Sequence, residues 1–244
     1  MCKVVIEKWY GRFGNNMMQI ANCCMFAFET NSARIIEFPY HKTLTSKCII
    51  NDKKNACKCD KILSKEIFFK SGNTWYDKRN IIQKYALGIL PNKITHDSSQ
   101  LMYDCCVHVR SGDTKNVTNG NYAKLPVEYY ICNIDKQLFN NLKVHIIFED
   151  KNIDVFKKIT EKYQTDSRVS FTCGTTLEED MNTLSRCKHL IVSVGTFNMI
   201  SVCLSKTIEH VYLSNQRKIN ETKSFTKTNS TLLQNGTEIQ MHFS

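Results

Sequence analysis

Residues 143–172 read KVHIIFEDKNIDVFKKITEKYQTDSRVSFT, and this stretch decides the fold of the second half of the chain. Residues 143–148 form an apolar run of strand length, and residues 168–172 form a second strand pattern. Between them, apolar side chains recur at helical spacing as far as Tyr163, and Asn152 is placed to cap that helix. A strand, a helix and a strand of these lengths predict a right-handed crossover between two parallel strands.

The same alternation continues on both sides of this stretch. Helix patterns begin at Pro126, which suits a first helical turn, and at Thr176, which can form a capping box with Glu179. The remaining strand and helix patterns cover residues 104–109, 189–194, 196–205 and 210–213. Five strands therefore alternate with four helices, which predicts a doubly wound parallel sheet.

The start of the chain shows a shorter version of this pattern. A strand pattern at 3–9 leads through a glycine turn at 10–14 into a helix pattern that runs to Glu29. Asn15 is placed to cap this helix, and residues 34–38 form the next strand pattern. This order predicts the opening of a second α/β domain.

The sequence thus predicts an α/β protein of two Rossmann-like halves, each with a parallel sheet, the first of them compact. Residues 48–50 and 66–69 are further strand-like pieces, and a helix is expected near 78–88. The expected domains are an N-terminal α/β half at 1–100, a C-terminal Rossmann-like half at 101–213 and a loose polar tail at 214–244.

The chain carries 33 Lys+Arg against 23 Asp+Glu, a formal charge of +10, which fits a nucleic acid, an anionic membrane or a phosphorylated small substrate. No groove-reading motif is present, so a nucleic-acid partner is not expected. No apolar run approaches the roughly 18 residues of a membrane span, and the first eight residues do not form a signal peptide. A cytoplasmic protein is expected, with a Golgi protein truncated of its anchor as the alternative. The oligomeric state is left open.

The 12 cysteines do not predict a metal site. No C-x-x-C pair occurs: Cys23-Cys24 and Cys105-Cys106 are adjacent, and Cys57 and Cys59 are one residue apart. Cysteines within apolar runs behave as small hydrophobic residues, so mostly reduced thiols are expected.

The carboxyl ends of the predicted strands hold the candidate site, because open parallel sheets bind ligands there. The first candidate is the turn from Gly11 to Asn15, where glycines let the backbone approach a ligand. The second is Arg110 with Asp113, since a guanidinium at a strand end suits a diphosphate, and a structural Arg–Asp pair is the alternative. The third is the turn 195–197, which ends a strand and opens a helix.

Five motifs occur in order across residues 4–205. A G-x-x-G-N-Q-x-x-Q element is matched by Gly11, Gly14, Asn15 and Gln19, and an H-x-R-R-G-D motif by His108, Arg110, Gly112 and Asp113. The motifs L-P-x-x-Y-Y, F-S-D-D and D-x-x-L-M-S-x-C-K-H-x-I-x-x-N-S-T-F are matched by Leu125, Pro126, Tyr129, Tyr130, Phe148, Asp150, Asp180, Leu184, Ser185, Cys187, Lys188, His189, Ile191, Thr196 and Phe197. This series resembles the fucosyltransferase superfamily, above all glycosyltransferase family 11, the α-1,2-fucosyltransferases.

The resemblance implies a GT-B-like enzyme that transfers L-fucose from GDP-fucose to a glycan hydroxyl, with inversion and without a metal ion or other cofactor. It implies that Arg110 contacts the diphosphate and that Asn15 lines the catalytic cleft. Asp113 is a candidate general base, with the alternative that no strong base is required. The residues implied in donor binding are Gly14, His108, Arg110, Asp180, Ser193, Thr196 and Phe197.

Three places in the motifs, covering four residues, depart from the family pattern. Ser111 stands at the second arginine of H-x-R-R, Gly195 stands within the N-S-T-F element, and residues 199–200 replace paired tryptophans. Two alternatives therefore stay open. One is a transferase on the same fold that uses another nucleotide-sugar, and the other is a non-catalytic relative that binds a glycan or a nucleotide.

Overall fold

The chain divides into two compact units, Met1–His96 and Asp97–Ser244. The computed structural model describes residues 3–29, 35–44, 47–49, 62–63, 75–90, 94, 100–111, 125–214, 229–233 and 236–240. Within these residues, no helix combines the length and the apolar character that crossing a bilayer requires.

The first unit contains a small mixed sheet. Its strands are β1 (Lys3–Val5), β2 (Ile35–Glu37), β3 (Lys47–Ile49) and β4 (Ile62–Leu63), in the order β3-β2-β1-β4. Strand β1 pairs in parallel with β2 and β4, whereas β3 pairs antiparallel with β2. The predicted parallel arrangement therefore holds for β1, β2 and β4 and is broken at the β3 edge. The strand pattern at 66–69 lies outside the described residues.

The helices of the first unit are α1 (Phe13–Glu29) and α2 (Trp75–Ile81), and α2 continues into a π-helical turn, Ile82–Ala86, and a 3-10 turn, Leu87–Ile89. The prediction that Asn15 caps α1 is wrong. The helix begins two residues earlier, and the Asn16 N–H donates to the carbonyl of Arg12 at 3.1 Å. Asn15 is therefore the third residue of α1. Asparagine is a common helix cap, but the helix already begins at Phe13.

The second unit is built on a larger sheet. Five of its strands are β5 (Tyr103–Val109), β6 (Val144–Phe148), β7 (Val169–Cys173), β8 (Cys187–Ile191) and β9 (His210–Leu213). They lie in the order β9-β8-β5-β6-β7, and every neighbouring pair is parallel. The four connecting helices are α3 (Val127–Phe139), α4 (Asp154–Tyr163), α5 (Leu177–Leu184) and α6 (Phe197–Leu204). The predicted doubly wound α/β sheet is confirmed.

The central strands β5 and β6 form because they are buried on both faces. All five residues of β6 are buried, and the apolar side chains of β5 and β6 pack under α3 and α4 in one core cluster. Thr176 and Glu179 form the predicted capping box at the start of α5. The predicted cap of α4 is wrong, since Ile153 precedes the helix and the Asn152 N–H donates to Asp150 Oδ1 at 2.8 Å.

The end of the chain differs from the loose tail that its polar composition predicted. Two strands, β10 (Asn229–Leu233) and β11 (Gly236–Gln240), pair antiparallel with each other, and β11 pairs antiparallel with β9. The hairpin extends the sheet of the second unit by two strands. These strands pair through backbone hydrogen bonds, and a hydropathy pattern does not predict such pairing.

Candidate active site

The carboxyl ends of β5 and β8 meet at the switch point of the second unit. From β5 the chain builds β6 and β7 on one side, and then returns to build β8 and β9 on the other. Such a reversal opens a crevice above the strand ends, where doubly wound proteins bind their ligands. The residues that follow the two strands, 110–111 and 192–196, therefore define the candidate site.

Arg110 and Gly195 are in direct contact at this point. Gly195 has a φ of +97°, and a Cβ added to it would overlap Arg110 Nη1 and lie 3.2 Å from Cζ. The guanidinium of Arg110 therefore lies against the backbone of the β8–α6 turn. The sequence predicted both residues at strand ends but did not predict that they touch, because that contact depends on β8 lying beside β5.

Three buried polar side chains lie below this contact. His108 and Ser193 are each 1% exposed, and His108 Nδ1 lies 3.3 Å from Ser193 Oγ. Asn198, which is fully buried, donates from Nδ2 to the same hydroxyl at 3.2 Å. The ring of His108 also lies 5.4 Å from that of Phe197, centroid to centroid. The structure thus brings together His108, Ser193 and Phe197, which are three of the predicted donor-site residues. Asn198 was not predicted.

Thr196 directly precedes α6. Its carbonyl accepts the first helical hydrogen bond, from the Ile200 N–H at 3.1 Å. The helix α6 consequently starts two residues after Gly195, and the positive end of a helix dipole favours a negatively charged ligand.

Carboxylates occupy the next strand end along the sheet. Glu149 follows β6, and its Oε2 accepts a hydrogen bond from the Ser111 N–H at 3.2 Å. Burial raises the pKa of Asp180 to about 6; a hydrogen bond from Thr175 opposes this, and the charges of Glu149 and Glu179 add to it. Glu149 and Asp180 are therefore close enough for their charges to interact. Sequence reasoning missed Glu149, although an acidic residue directly after a buried strand was its signal.

The glycine turn of the first unit is held by Gln19, which is fully buried in α1. Its Oε1 accepts from the Tyr10 N–H at 2.9 Å, and its Nε2 donates to the Lys8 carbonyl at 3.2 Å. Gly14 is buried in the first turn of α1, and Asn15 is half-buried beside it. Sequence reasoning matched Gln19 to a motif but gave it no role.

Two of the predicted motif residues cannot be placed in the site. Gly112 and Asp113 lie outside the described residues. Within the part of the chain that the structure describes, no three His, Cys, Asp or Glu side chains lie together as a set that could hold a metal ion. The cysteines at positions 23, 24, 105, 106, 132, 173, 187 and 203 form no disulfide.

The fold is of the GT-B class, the architecture shared with known structures of similar shape. The structure of POFUT1 in complex with GDP-fucose superimposes with a TM-score of 0.51 at 9% identity, covering 85% of this chain and 96% of that one. The structure of an Arabidopsis thaliana FUT1 mutant in complex with GDP gives a TM-score of 0.51 at 11% identity, covering 89% of this chain and 72% of that one. At such low identity these likenesses show the fold, and the predicted GT-B-like α/β class is confirmed.

The family follows from the sequence. The model of glycosyl transferase family 11 matches residues 68–239, which is more than half of the chain. The chain belongs to glycosyl transferase family 11 and is a glycosyltransferase, as the motifs predicted. No curated protein matches the chain at a significant level.

Proposed function

We propose that the chain transfers L-fucose from GDP-fucose to a hydroxyl group of a glycan, with inversion at the anomeric carbon and without a metal ion. Membership of family 11 supports this, as do the GDP-fucose of the POFUT1 structure and the GDP of the FUT1 structure. The observation that carries the proposal is the guanidinium of Arg110 at the carboxyl ends of β5 and β8.

The reaction needs positive charge at that place. The acceptor oxygen attacks C1 of fucose, the bond from C1 to the diphosphate oxygen breaks, and the electron pair leaves with GDP. The proton of the acceptor hydroxyl passes to a base. Negative charge develops on the leaving diphosphate, and an arginine fork stabilises it through two parallel charge-assisted hydrogen bonds. Arg110 is proposed to supply that fork, and the N-terminus of α6 is proposed to add further positive potential.

The remaining roles follow the motif assignments. Asp180, Ser193, Thr196 and Phe197 are proposed to line the GDP site above the buried His108, and Gly14 and Asn15 to line the catalytic cleft. Asp113 is proposed as the base, and a mechanism without a strong base is its alternative. Asp113→Asn tests this choice, because a lost base lowers kcat and leaves the affinity for GDP unchanged.

The test combines binding and turnover. Thermal shifts with GDP, UDP and ADP report the nucleotide, and release of GDP from GDP-fucose in the presence of a glycan panel reports transfer. Stabilisation by GDP alone and EDTA-resistant GDP release are expected. Stabilisation by UDP or ADP instead of GDP contradicts the donor assignment. GDP binding without turnover on any acceptor contradicts the catalytic assignment and indicates a binding protein.

A further inference from the structure

Two glycines of the second unit share a backbone conformation but differ in their surroundings. Gly195 has a φ of +97° and Gly174, which follows β7, has a φ of +73°. Around Gly174 an added Cβ would meet no atom within 4 Å. At Gly195 the same atom would meet the guanidinium of Arg110. Both positions therefore have a positive φ, which favours glycine, and they differ in whether a side chain already fills the space.

We propose that Gly195 is a positioning residue for the donor diphosphate. The absence of a side chain at this position creates the space in which the Arg110 guanidinium lies, and the backbone of Gly195 then fixes the direction of the fork. This inference rests on the proposed function, in which Arg110 binds the diphosphate of the donor. Gly195 is then the residue that determines where the positive charge of Arg110 lies.

The turn that carries Gly195 is held at both ends. On one side, Ser193 lies within hydrogen-bond distance of His108 in β5 and accepts from Asn198 in α6. On the other side, α6 begins directly after Thr196, and its residues 198–204 are buried. Because both flanks are fixed, the backbone at residue 195 has no easy way to retreat from the arginine.

A methyl group at position 195 would consequently move the arginine. The atom that it meets first is the far end of a long, flexible side chain, which can swing away at little cost to folding. A displaced guanidinium can no longer present two parallel N–H groups at the correct place, and misplacement of about 1 Å at a reacting centre can cost about 100-fold in rate. The penalty should therefore appear in ligand binding and not in folding.

The experiment compares Gly195→Ala with Gly174→Ala. Both variants place alanine at a positive φ, so both should lower the Tm by a similar amount, about 2–4 °C. Titration calorimetry with GDP should show at least a tenfold loss of affinity for Gly195→Ala and a change within about twofold for Gly174→Ala. Wild-type GDP affinity in Gly195→Ala overturns the inference.

A double variant separates the contact from other effects. In an Arg110→Ala background the space next to residue 195 is open, so adding Gly195→Ala should cost no further GDP affinity. Additive losses overturn the inference. If Gly195→Ala alone does not fold, Arg110→Ala should restore a cooperative melting transition, and failure to restore it also contradicts the contact.

A readout without nucleotide keeps the inference distinct from the proposed function. The Nε–Hε resonance of Arg110, assigned with Arg110→Lys, should shift in the ligand-free Gly195→Ala variant and stay in place in Gly174→Ala. If the wild-type protein binds no GDP, the proposed function fails, and this resonance still decides whether residue 195 positions the arginine. An unchanged resonance in Gly195→Ala contradicts the inference.

Discussion

Each unit contains a glycine with positive φ that lies against a residue for which the sequence predicted a functional role, and the two contacts differ in kind. Gly11 has a φ of +74°, and a Cβ there would overlap Asn15 Nδ2 and lie 3.1 Å from Cγ and 3.2 Å from Cβ of that residue. At Gly195 the overlap is with Nη1 of Arg110, and the nearest other atoms are Cζ at 3.2 Å and Cδ at 3.8 Å.

The length of the opposing side chain determines what each glycine protects. Asn15 is short and its Cβ is fixed on α1, so rotation of its side chain can move Nδ2 and Cγ but leaves the 3.2 Å contact with Cβ. Arg110 is long and can move. We therefore expect Gly11 to matter for the stability of the fold, and Gly195 to matter for the placement of one charged group.

The largest expected effect is that of Arg110→Ala. Two charge-assisted hydrogen bonds to the diphosphate together contribute about 3 kcal/mol, so the affinity for GDP should fall about 100-fold in titration calorimetry. Arg110→Lys should recover only part of the loss, because an ammonium has no fork. Arg186→Ala is the control, since Arg186 bonds to Gln100 on the surface. Equal GDP affinities in Arg110→Ala and Arg186→Ala would remove Arg110 from the donor site.

The next effect is that of Gln19→Leu, which removes both side-chain bonds to the glycine turn of the first unit. A loss of about 2–3 kcal/mol is expected, since two backbone groups lose their partner, and thermal melting should show a fall of about 5–10 °C. Gln164→Leu, at an exposed helix end, is the matched control and should change the Tm little. A similarly small change for Gln19→Leu would show that the glycine turn is stable without the two hydrogen bonds of Gln19.

Gly11→Ala tests the fixed contact. Its expected cost is about 2 kcal/mol, because the strain of a positive φ adds to the overlap with Asn15. Gly88→Ala is the control in the same unit, since Gly88 has neither a positive φ nor an atom within 4 Å of an added Cβ. Differential scanning calorimetry should therefore separate the two variants. The distinction between the two glycines fails if Gly11→Ala melts like Gly195→Ala.

The smallest effect concerns pH and Asp180. Its pKa is raised by burial to about 6, so the folded protein disfavours the ionised form, and the stability that the neutral carboxyl contributes is lost as the pH rises through about 6. Asp180→Asn should stabilise the protein at pH 7.5 by on the order of 1 kcal/mol, allowing for solvent screening, and should have no effect near pH 4. Asp154→Asn, an exposed carboxylate in the first turn of α4, should not stabilise at either pH. Equal shifts at both pH values would contradict the raised pKa.

The second unit could be predicted well from the sequence because its buried segments show clear patterns of apolar residues. Strand β6 is an unbroken buried apolar run, and the capping box of Thr176 and Glu179 marks the start of α5. The first unit was harder, since β4 has two residues and carries no periodicity of its own. The expected helix near 78–88 is helical but changes from α to π and 3-10 turns, which no spacing rule distinguishes.

The candidate site shows the same division. Placing Arg110 at a strand end needed only the order of elements, so the sequence was sufficient. The contact of Arg110 with Gly195 joins residues that are distant in sequence and depends on strand order, which hydropathy does not determine. In the sequence, Gly195 is a departure from the family pattern. In the structure it provides the space in which the Arg110 guanidinium lies.

The hairpin of β10 and β11 has a consequence for the solubility of the protein. Without β11, strand β9 would be the free edge of the sheet of the second unit, with unpaired N–H and C=O groups facing outward. Such an edge is a template for intermolecular strand pairing and aggregation. Among the described strands, β10 is the edge of this sheet when the hairpin is in place. A chain that ends at Ser214 would instead expose β9, whose residues 211–213 are buried, and it should self-associate more than the full chain in size-exclusion chromatography.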